Sequence, residues 1–279
     1  MITDDYRVDG KVSIVTGAGR GIGKAIALVL AEAGADITVV ARTREQVGQT
    51  AEEIRQLGRK ALAMPANVTK EDQVKEVVAR TISEFGKIDI LVNSAGISSG
   101  MRPVVFVPGI KFPGWELAGD EWDKPITLEW WHRVMDTNLT SVFLFAQAVG
   151  PHMLKQKKGK VINISSNSAG LGTPYHSVYC ASKAGLSTFT RCLASEWAPF
   201  NICVNAIGPG ATKTEMMEAH LRDPLFSKAI LDAIPKGRVA EPREMAMLAL
   251  YLASEASDFM SGETVFIDGG QLSHGAGSI

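Results

Sequence analysis

Tyr179-Cys-Ala-Ser-Lys183 sets a phenol and an ammonium four residues apart. On a helix that spacing puts both on one face, one turn apart. A free tyrosine has a pKa near ~10, too high for a base at neutral pH. A neighbouring positive charge favours the phenolate and lowers that value. Ser166 ends the run Ile162-Asn-Ile-Ser-Ser, so its hydroxyl could meet the same substrate oxygen. Singly, each feature is ordinary: such tyrosine–lysine pairs occur on many helices, and serines after strands usually cap turns. Together they describe proton exchange with an oxygen that a second hydroxyl polarises.

A second set of residues could hold a phosphorylated cofactor. The run Thr16-Gly17-Ala18-Gly19-Arg20-Gly21-Ile22-Gly23 follows an apolar β-branched segment and opens a helical one. Glycines at such a turn let backbone N–H groups approach a pyrophosphate, and the helix N-terminus favours negative charge. Alone the motif also fits a tight turn with glycines for packing; the strand before it and helix after it give the context it requires.

The end of the second apolar run bears on the ribose. A carboxylate there would accept both ribose hydroxyls of NAD. The chain has Val40-Ala41-Arg42-Thr43 instead, and Asp36 lies at the far end of that run. Arg20 and Arg42 could converge on a 2′-phosphate, because guanidinium and phosphate pair in a bidentate way. NADP(H) is therefore favoured, with NAD(H) as the alternative should Arg42 merely face solvent.

These residues need a frame. Strands are expected at Val12–Thr16, Ile37–Ala41, Ala61–Met64, Ile88–Val92, Val161–Ile164, Ile202–Ala206 and Thr264–Ile267. Several are apolar at nearly every position, as when both faces of a parallel sheet are covered. Helices are expected at Ile22–Ala33, Arg44–Leu57, Lys70–Phe85, Leu128–Lys155, Ser177–Trp197 and Arg243–Leu252. Gly34, Gly58 and Gly86 fall where C-caps belong, and Thr43 and Thr69 where N-caps belong. The alternation predicts an α/β architecture: a doubly wound Rossmann fold, a seven-stranded parallel sheet with helices on both faces. No linker divides the chain, so residues 1–279 are read as a single domain.

Two segments break the rhythm. Residues 97–126 carry six prolines or glycines between Pro103 and Gly119, with Trp115 and Trp122. Residues 212–235 are rich in Met, Leu and Phe. Both leave carboxyl ends of strands, where open α/β sheets bind ligands. The first is read as an insertion that walls the site or fills an interface, the second as a lid.

Composition excludes little but points one way. With 29 basic and 30 acidic residues the net charge is −1, which argues against a general nucleic-acid or membrane-surface binder. Cys180, Cys192 and Cys203 show neither a disulfide framework nor metal-ligand spacing, and the five histidines show none either; no metal is expected. The polar start Met1-Ile-Thr-Asp-Asp-Tyr6 is unlike a signal peptide, and no apolar run is long enough to cross a membrane, so a cytoplasmic protein is expected.

In combination the motifs resemble the classical short-chain dehydrogenase/reductase family from about Gly10 to Gln271. The marks are the glycine-rich turn, Asn93-Ser-Ala-Gly96, Asn138 in Asp136-Thr-Asn-Leu139, Ser166, Tyr179-x-x-x-Lys183, Asn205-x-x-x-Pro209-Gly210 and Asp268-Gly-Gly270. The spacing of thirteen positions from Ser166 to Tyr179 agrees as well. The resemblance implies an oxidoreductase that moves hydride between a nicotinamide cofactor and a carbonyl or secondary alcohol. Tyr179 would exchange the proton, Ser166 would polarise the oxygen, and Lys183 would bind the nicotinamide ribose and depress the Tyr179 pKa. Asn138 would hold a water linking Lys183 to solvent. Gly17, Gly19, Arg20, Gly21, Ile22, Gly23, Arg42 and Thr43 would serve the phosphates and adenosine ribose, with Asn67 and Val68 beside adenine. Asn93, Ala95 and Gly96 would lie along the cofactor; Ile207, Pro209, Gly210 and Thr212 or Thr214 would approach its carboxamide and diphosphate.

The chain departs from the family at Asn67, where Asp is usual, at Ser94, where a second Asn is common, and in the longer segment between Gly96 and Asn138. The resemblance implies little about substrate. Asn167 and His176 could hydrogen-bond a polyol or keto-sugar, while Met216 and Trp115 suggest an apolar wall; sugar, steroid, terpenoid, keto-acid and acyl-thioester substrates remain open. It also implies a homotetramer. A catalytically silent NADP(H) sensor is the competing class, and the presence of all four of Asn138, Ser166, Tyr179 and Lys183 disfavours it.

Overall fold

The computed structural model describes residues 2–105, 124–222 and 224–273. Trp115, with Phe106 and Phe112, lies outside the described residues, so its expected place in a substrate wall has no counterpart here.

Seven strands form one parallel sheet in the order β3-β2-β1-β4-β5-β6-β7. They are β1 (Val12–Thr16), β2 (Asp36–Ala41), β3 (Ala61–Pro65), β4 (Ile90–Asn93), β5 (Gly159–Ile164), β6 (Ile202–Pro209) and β7 (Thr264–Ile267). The helices are α1 (Gly21–Glu32), α2 (Arg44–Gln56), α3 (Glu71–Phe85), α4 (Leu128–Met135), α5 (Ser141–Gln156), α6 (Ser177–Trp197), α7 (Glu215–Leu221), α8 (Pro224–Asp232) and α9 (Pro242–Ala253).

The near-continuous apolar strands split by alternation, as a pleated strand must. Val15, Val92, Ile162 and Ile207 join a core with Ile26 and Leu30 of α1, Ile54 of α2 and Met245 of α9. Ile14, Leu91, Val161 and Val204 face the other way, onto Val78 of α3, Phe145 and Met153 of α5 and Trp197 of α6. Helices thus cover both faces, as expected.

The chain reverses direction across the sheet between β1 and β4, which pair in register at Ser13–Ile90 through Val15–Val92. Crevices outside the carboxyl ends of strands open at such switch points. Two loops that carry chemistry, after β1 and after β4, therefore emerge side by side.

Two expectations need correction. The stretch read as one helix, Leu128–Lys155, is α4 and α5 separated by a π turn at Asp136–Thr140. A π turn adds one residue without breaking the apolar stripe, and such turns are frequent at functional sites. Thr69 does not cap α3; Lys70 holds that position, and the Thr69 hydroxyl donates to Asn67 Oδ1 at 3.0 Å instead. The lid segment contains two short helices, α7 and α8. Gly34, Gly58 and Gly86 do lie at helix ends with left-handed φ of 108°, 76° and 80°, a region that favours glycine.

Candidate active site

The glycine-rich turn is held by its neighbours at van der Waals limits. A Cβ on Gly23 would stand 2.4 Å from the carbonyl oxygen of Gly17, and one on Gly17 would stand 2.8 Å from the Ala95 nitrogen. Gly19 faces Gln46 of α2 at 2.9 Å in the same sense, and Gly21 faces the methyl of Thr214 at 3.3 Å. Ala18 N–H donates to the Val40 carbonyl at 3.1 Å. The turn, the end of β2 and the loop after β4 are thereby packed into one corner. Ile22 follows in α1, partly buried against the core.

Thr16 binds that corner together, a role the sequence reading missed. Its hydroxyl accepts from the N–H groups of Ser94 and Ala95 at 3.0 and 3.1 Å. Thr16 opens the glycine-rich motif, but a threonine at a strand end suggests only β propensity. Asn93 is buried, and its amide donates to Asn163 Oδ1 at 2.9 Å, whose own amide donates to Thr190 at 2.9 Å. The Asn93 side chain is thus committed to a network across β4, β5 and α6, which leaves its backbone for a cofactor.

At the ribose end the arginines behave differently. Arg20 pairs with Glu215 at the start of α7. Arg42 is exposed and has no ion pair among the described residues. Thr43 stands at the N-cap position of α2 without a side-chain cap bond. Asp36 is engaged at the opposite end of β2, accepting from Arg59 at 2.7 Å. Asn67 turns inward on itself: Oδ1 accepts from the Thr69 N–H at 3.1 Å. Val68 beside it is buried.

Across the crevice, α6 presents Tyr179 and Lys183. The Ser166 hydroxyl stands beside the Tyr179 phenol and favours its phenolate form. The Ser166 hydroxyl also caps the short turn after β5 by accepting from the Ser168 N–H at 3.1 Å, which fixes its position. Lys183 is buried, donates to the Ile164 carbonyl at 2.8 Å, and holds Nζ 5.7 Å from the Tyr179 ring centre. Burial pushes the Lys183 ammonium down to about 8. Burial pushes the Tyr179 phenol above its ordinary value, and the Ser166 hydroxyl opposes that. Lys183 is not among the causes of that shift: with the chain's own groups alone, desolvation sets its direction.

Asn138 sits within the π turn and is fully buried. Its amide donates to the Ile97 carbonyl at 3.0 Å and to Ser182 at 3.1 Å, while Oδ1 accepts from the Ile97 N–H at 2.9 Å. Both amide hydrogens are used, so one acceptor position on Oδ1 is what the side chain retains for a water. Ser182, next to Lys183, is a further member that the sequence reading overlooked. A Cβ on Gly96 would lie 3.4 Å from Asn138 Oδ1 and 3.6 Å from Lys183 Nζ. The loop after β4 thus passes beside Asn138 and the lysine, at ordinary contact distance from both.

The proposed substrate side is polar. His176 Nε2 lies 3.3 Å from Ser98 Oγ, and its ring centre is 5.3 Å from that of Tyr179. Tyr175 before it adopts φ 62°, and its carbonyl accepts from the Arg102 N–H at 2.9 Å. This ties the start of the insertion to the head of α6. Trp130 of α4 adds a second tie by donating to the Ser99 carbonyl at 2.6 Å. Asn167 donates to Gln271 at 2.7 Å, and Leu272 packs 3.2 Å from the Cβ position of Gly170. The segment after β7 thereby walls the site, a contribution the sequence reading did not foresee.

The remaining residues sit along the lid's root. Pro209 ends β6, and the Gly210 N–H donates to the Ile267 carbonyl at 3.0 Å. Ile207 is buried in β6. Thr212 is buried and donates to the Gly210 carbonyl at 3.0 Å. Met216 on α7 is 48% exposed, not enclosed by a pocket wall. An open cleft of about 830 Å³ between the lid and α9 is lined by Lys213, Leu221, Arg238 and Met247; no candidate catalytic residue lines it.

The glycine-rich corner and the nearby loop after β4, with Gly96 beside Lys183, fit a dinucleotide laid across the switch point. The comparisons agree. The family model described as "Enoyl-(Acyl carrier protein) reductase" matches residues 17–271. A 3-oxoacyl-[acyl-carrier-protein] reductase of Thermotoga maritima is 38% identical over 267 residues, covering 95% of this chain and 98% of that protein. Among solved structures, a short-chain type dehydrogenase/reductase from Mycobacterium marinum aligns with TM-score 0.85 at 37% identity, covering 97% of this chain and 99% of the other. A gluconate 5-dehydrogenase from Burkholderia cenocepacia J2315, in complex with NADP and tartrate, aligns with TM-score 0.85 at 35% identity, covering 99% and 100%. No helix among the described residues is long and apolar enough to cross a membrane. With its parallel sheet, its ordered motifs and relatives that span nearly its whole length, this chain belongs to the classical short-chain dehydrogenase/reductase family, NAD(P)-dependent enzymes acting on CH–OH or carbonyl groups.

Proposed function

We propose that the protein reduces a polar carbonyl compound with NADPH, or runs the reverse oxidation, with Tyr179 as general acid/base. The observation that carries this reading is the convergence of Ser166, Tyr179 and Lys183 beneath the backbone of Gly96. Lys183 and the corner built by Gly17, Gly19, Gly21 and Gly23 would hold the cofactor, with Ala95, Gly96, Pro209, Gly210, Thr212 and Thr214 along its length. When bound, the cofactor supplies the hydride.

The chain's own part is proton handling. Burial keeps the Tyr179 phenol protonated at neutral pH, the state required to donate to a developing alkoxide. Ser166, whose hydroxyl donates to Asn167 Oδ1 at 3.4 Å, would turn to donate to the same oxygen, so that the developing charge meets two donors. After donation the phenolate keeps its Ser166 contact and faces the Lys183 ammonium. Lys183, poised at about 8, restores the proton, and the remaining acceptor on Asn138 Oδ1 offers a water a place in that relay.

Arg42 supports NADP(H): a guanidinium at the end of β2, exposed and unpaired among the described residues, suits a 2′-phosphate, and the B. cenocepacia relative is a complex with NADP. One observation favours the NAD(H) alternative, a polyol or alcohol dehydrogenase: Arg20 is engaged by Glu215. On the substrate side, His176, Ser98 and Asn167 favour a hydroxylated compound such as a keto-sugar acid, the oxidised counterpart of a gluconate like that relative's. We read the protein as cytoplasmic and as a homotetramer, on the resemblance and on the half-exposed Phe143 of α5.

Titration with NADPH and NADH, followed by nicotinamide fluorescence, tests the cofactor half. Tighter NADPH binding that Arg42→Ala abolishes supports it; tighter NADH binding that Arg42→Ala leaves alone overturns it. Turnover of a panel of keto-sugar acids, diketones and 3-oxoacyl thioesters tests the substrate half.

A further inference from the structure

The lid and the glycine-rich turn meet in one charged contact. Arg20, at the N-cap position of α1, donates from its guanidinium to the carboxylate of Glu215, the first residue of α7. Next to them, the Thr214 methyl lies 3.3 Å from the Cβ position of Gly21. Both charged side chains are more than half exposed, at 57% and 55%, so the fold does not depend on their pairing. Of the two guanidiniums that would receive a 2′-phosphate, one already holds a carboxylate of the lid and the other is unpaired among the described residues.

Carboxylate and phosphate oxygens address the same guanidinium edge. We propose that Glu215 is a cofactor-specificity residue, its carboxylate occupying on Arg20 the place that a 2′-phosphate takes. A phosphorylated dinucleotide must displace Glu215 or sit beside its negative charge. An unphosphorylated one leaves the pair intact. The contact also couples cofactor choice to the lid, since only the phosphorylated cofactor frees the first turn of α7 from the turn beneath it. This inference rests on the reading of Arg20 and Arg42 as 2′-phosphate ligands, and it deepens that reading by naming a residue that works against them.

The test is a set of fluorescence titrations on the full chain with NADPH and NADH. The variants are Glu215→Gln, Arg20→Met, the double variant and Arg42→Ala. Glu215→Gln keeps length and hydrogen-bonding capacity while removing the charge. For an exposed ion pair the expected gain is modest: NADPH should bind about two- to fivefold more tightly, and NADH should not change. In the Arg20→Met background the same substitution should have no effect, because Glu215 acts through Arg20. Equal shifts for both cofactors, no shift for NADPH, or a gain that persists without Arg20 would each overturn the proposal. Arg42→Ala reads the underlying assignment separately: an unchanged NADPH-to-NADH ratio there sinks the 2′-phosphate reading, whereas a lowered ratio with an inert Glu215→Gln sinks only the role of Glu215.

Discussion

Lys183 holds its Nζ 5.7 Å from the centre of the Tyr179 ring and 2.8 Å from the carbonyl oxygen of Ile164. That placement puts a charge where the fold does not favour one. Burial brings its pKa to about 8, against ~10.4 for an unperturbed lysine. The folded state therefore binds this proton less tightly than the unfolded state. Below about pH 8 the charged lysine lowers stability, and the penalty is relieved as pH rises from about 8 towards ~10.4.

Lys183→Met should accordingly change sign with pH. At pH 7 it removes a penalty of about 3 kcal/mol, but it leaves the Ile164 carbonyl without its donor at a cost of ~1–3 kcal/mol. The variant should be about 1 kcal/mol more stable than wild type at pH 7 and less stable by a similar amount at pH 10.5. Urea unfolding at the two pH values measures this. A difference of the same sign at both would show that desolvation of the ammonium is not what governs the site. Turnover should be lost throughout, which is a cost in stability retained for chemistry.

Tyr179→Phe isolates the proton step. It deletes one oxygen from a ring that otherwise keeps its place, and Ser166 stays fixed by its bond from the Ser168 N–H. Loss of a positioned acid should lower kcat by roughly 10²–10⁴-fold, with NADPH affinity unchanged within about twofold, since the phenol is not the main ligand of the cofactor. Stopped-flow hydride transfer and fluorescence titration separate the two quantities. Wild-type turnover in this variant would remove Tyr179 from the chemistry.

The sheet and the Tyr179–Lys183 pairing were legible because both lie in local pattern. Apolar strands at Val12–Thr16 and Thr264–Ile267 are bounded in the structure as the sequence suggests, and four spacing on α6 does bring Tyr179 and Lys183 to one place. What was not legible depends on residues far apart. Asn167 meets Gln271 across 104 positions and Arg20 meets Glu215 across 195; no periodicity encodes such contacts. The π turn that carries Asn138 is hidden for a different reason. Its extra residue leaves the apolar stripe of α4 and α5 readable as one helix, so only the unusual burial of an asparagine marks it.

Thr16→Val tests whether the corner between β1 and β4 is held by one hydroxyl. The substitution is nearly isosteric but leaves the Ser94 and Ala95 N–H groups without their acceptor. Stability should fall by ~1–3 kcal/mol, and NADPH should bind less tightly because the loop over Lys183 loses its anchor. Thr16→Ser keeps the oxygen and should restore both. Full stability and NADPH affinity in Thr16→Val, with losses only in Thr16→Ser, would assign the corner to packing of the methyl group instead.

Glycine substitutions separate close approach from backbone freedom at three positions. Gly48 lies within α2, and a Cβ there meets nothing within 4 Å; Gly48→Ala should stabilise by about 0.5–1 kcal/mol through helix propensity. Gly58 has φ 76° with nothing within 4 Å, so Gly58→Ala should cost ~1–2 kcal/mol for the left-handed backbone and leave cofactor binding intact. Gly23 is the contrasting case. Its φ is ordinary, but a Cβ would stand 2.4 Å from the Gly17 carbonyl oxygen and 3.1 Å from the Ser94 hydroxyl. The Gly17 carbonyl cannot yield without moving the turn, which already packs so closely on the loop after β4 that a Cβ on Gly17 would stand 2.8 Å from the Ala95 nitrogen. Gly23→Ala should therefore cost ~1–3 kcal/mol from overpacking and weaken both NADPH and NADH at least tenfold, a joint loss that neither other variant shows. Thermal unfolding alongside the two titrations makes the comparison; a Gly23→Ala protein that unfolds early yet binds both cofactors normally would mean that the glycine serves packing and not the phosphate-binding geometry of the turn.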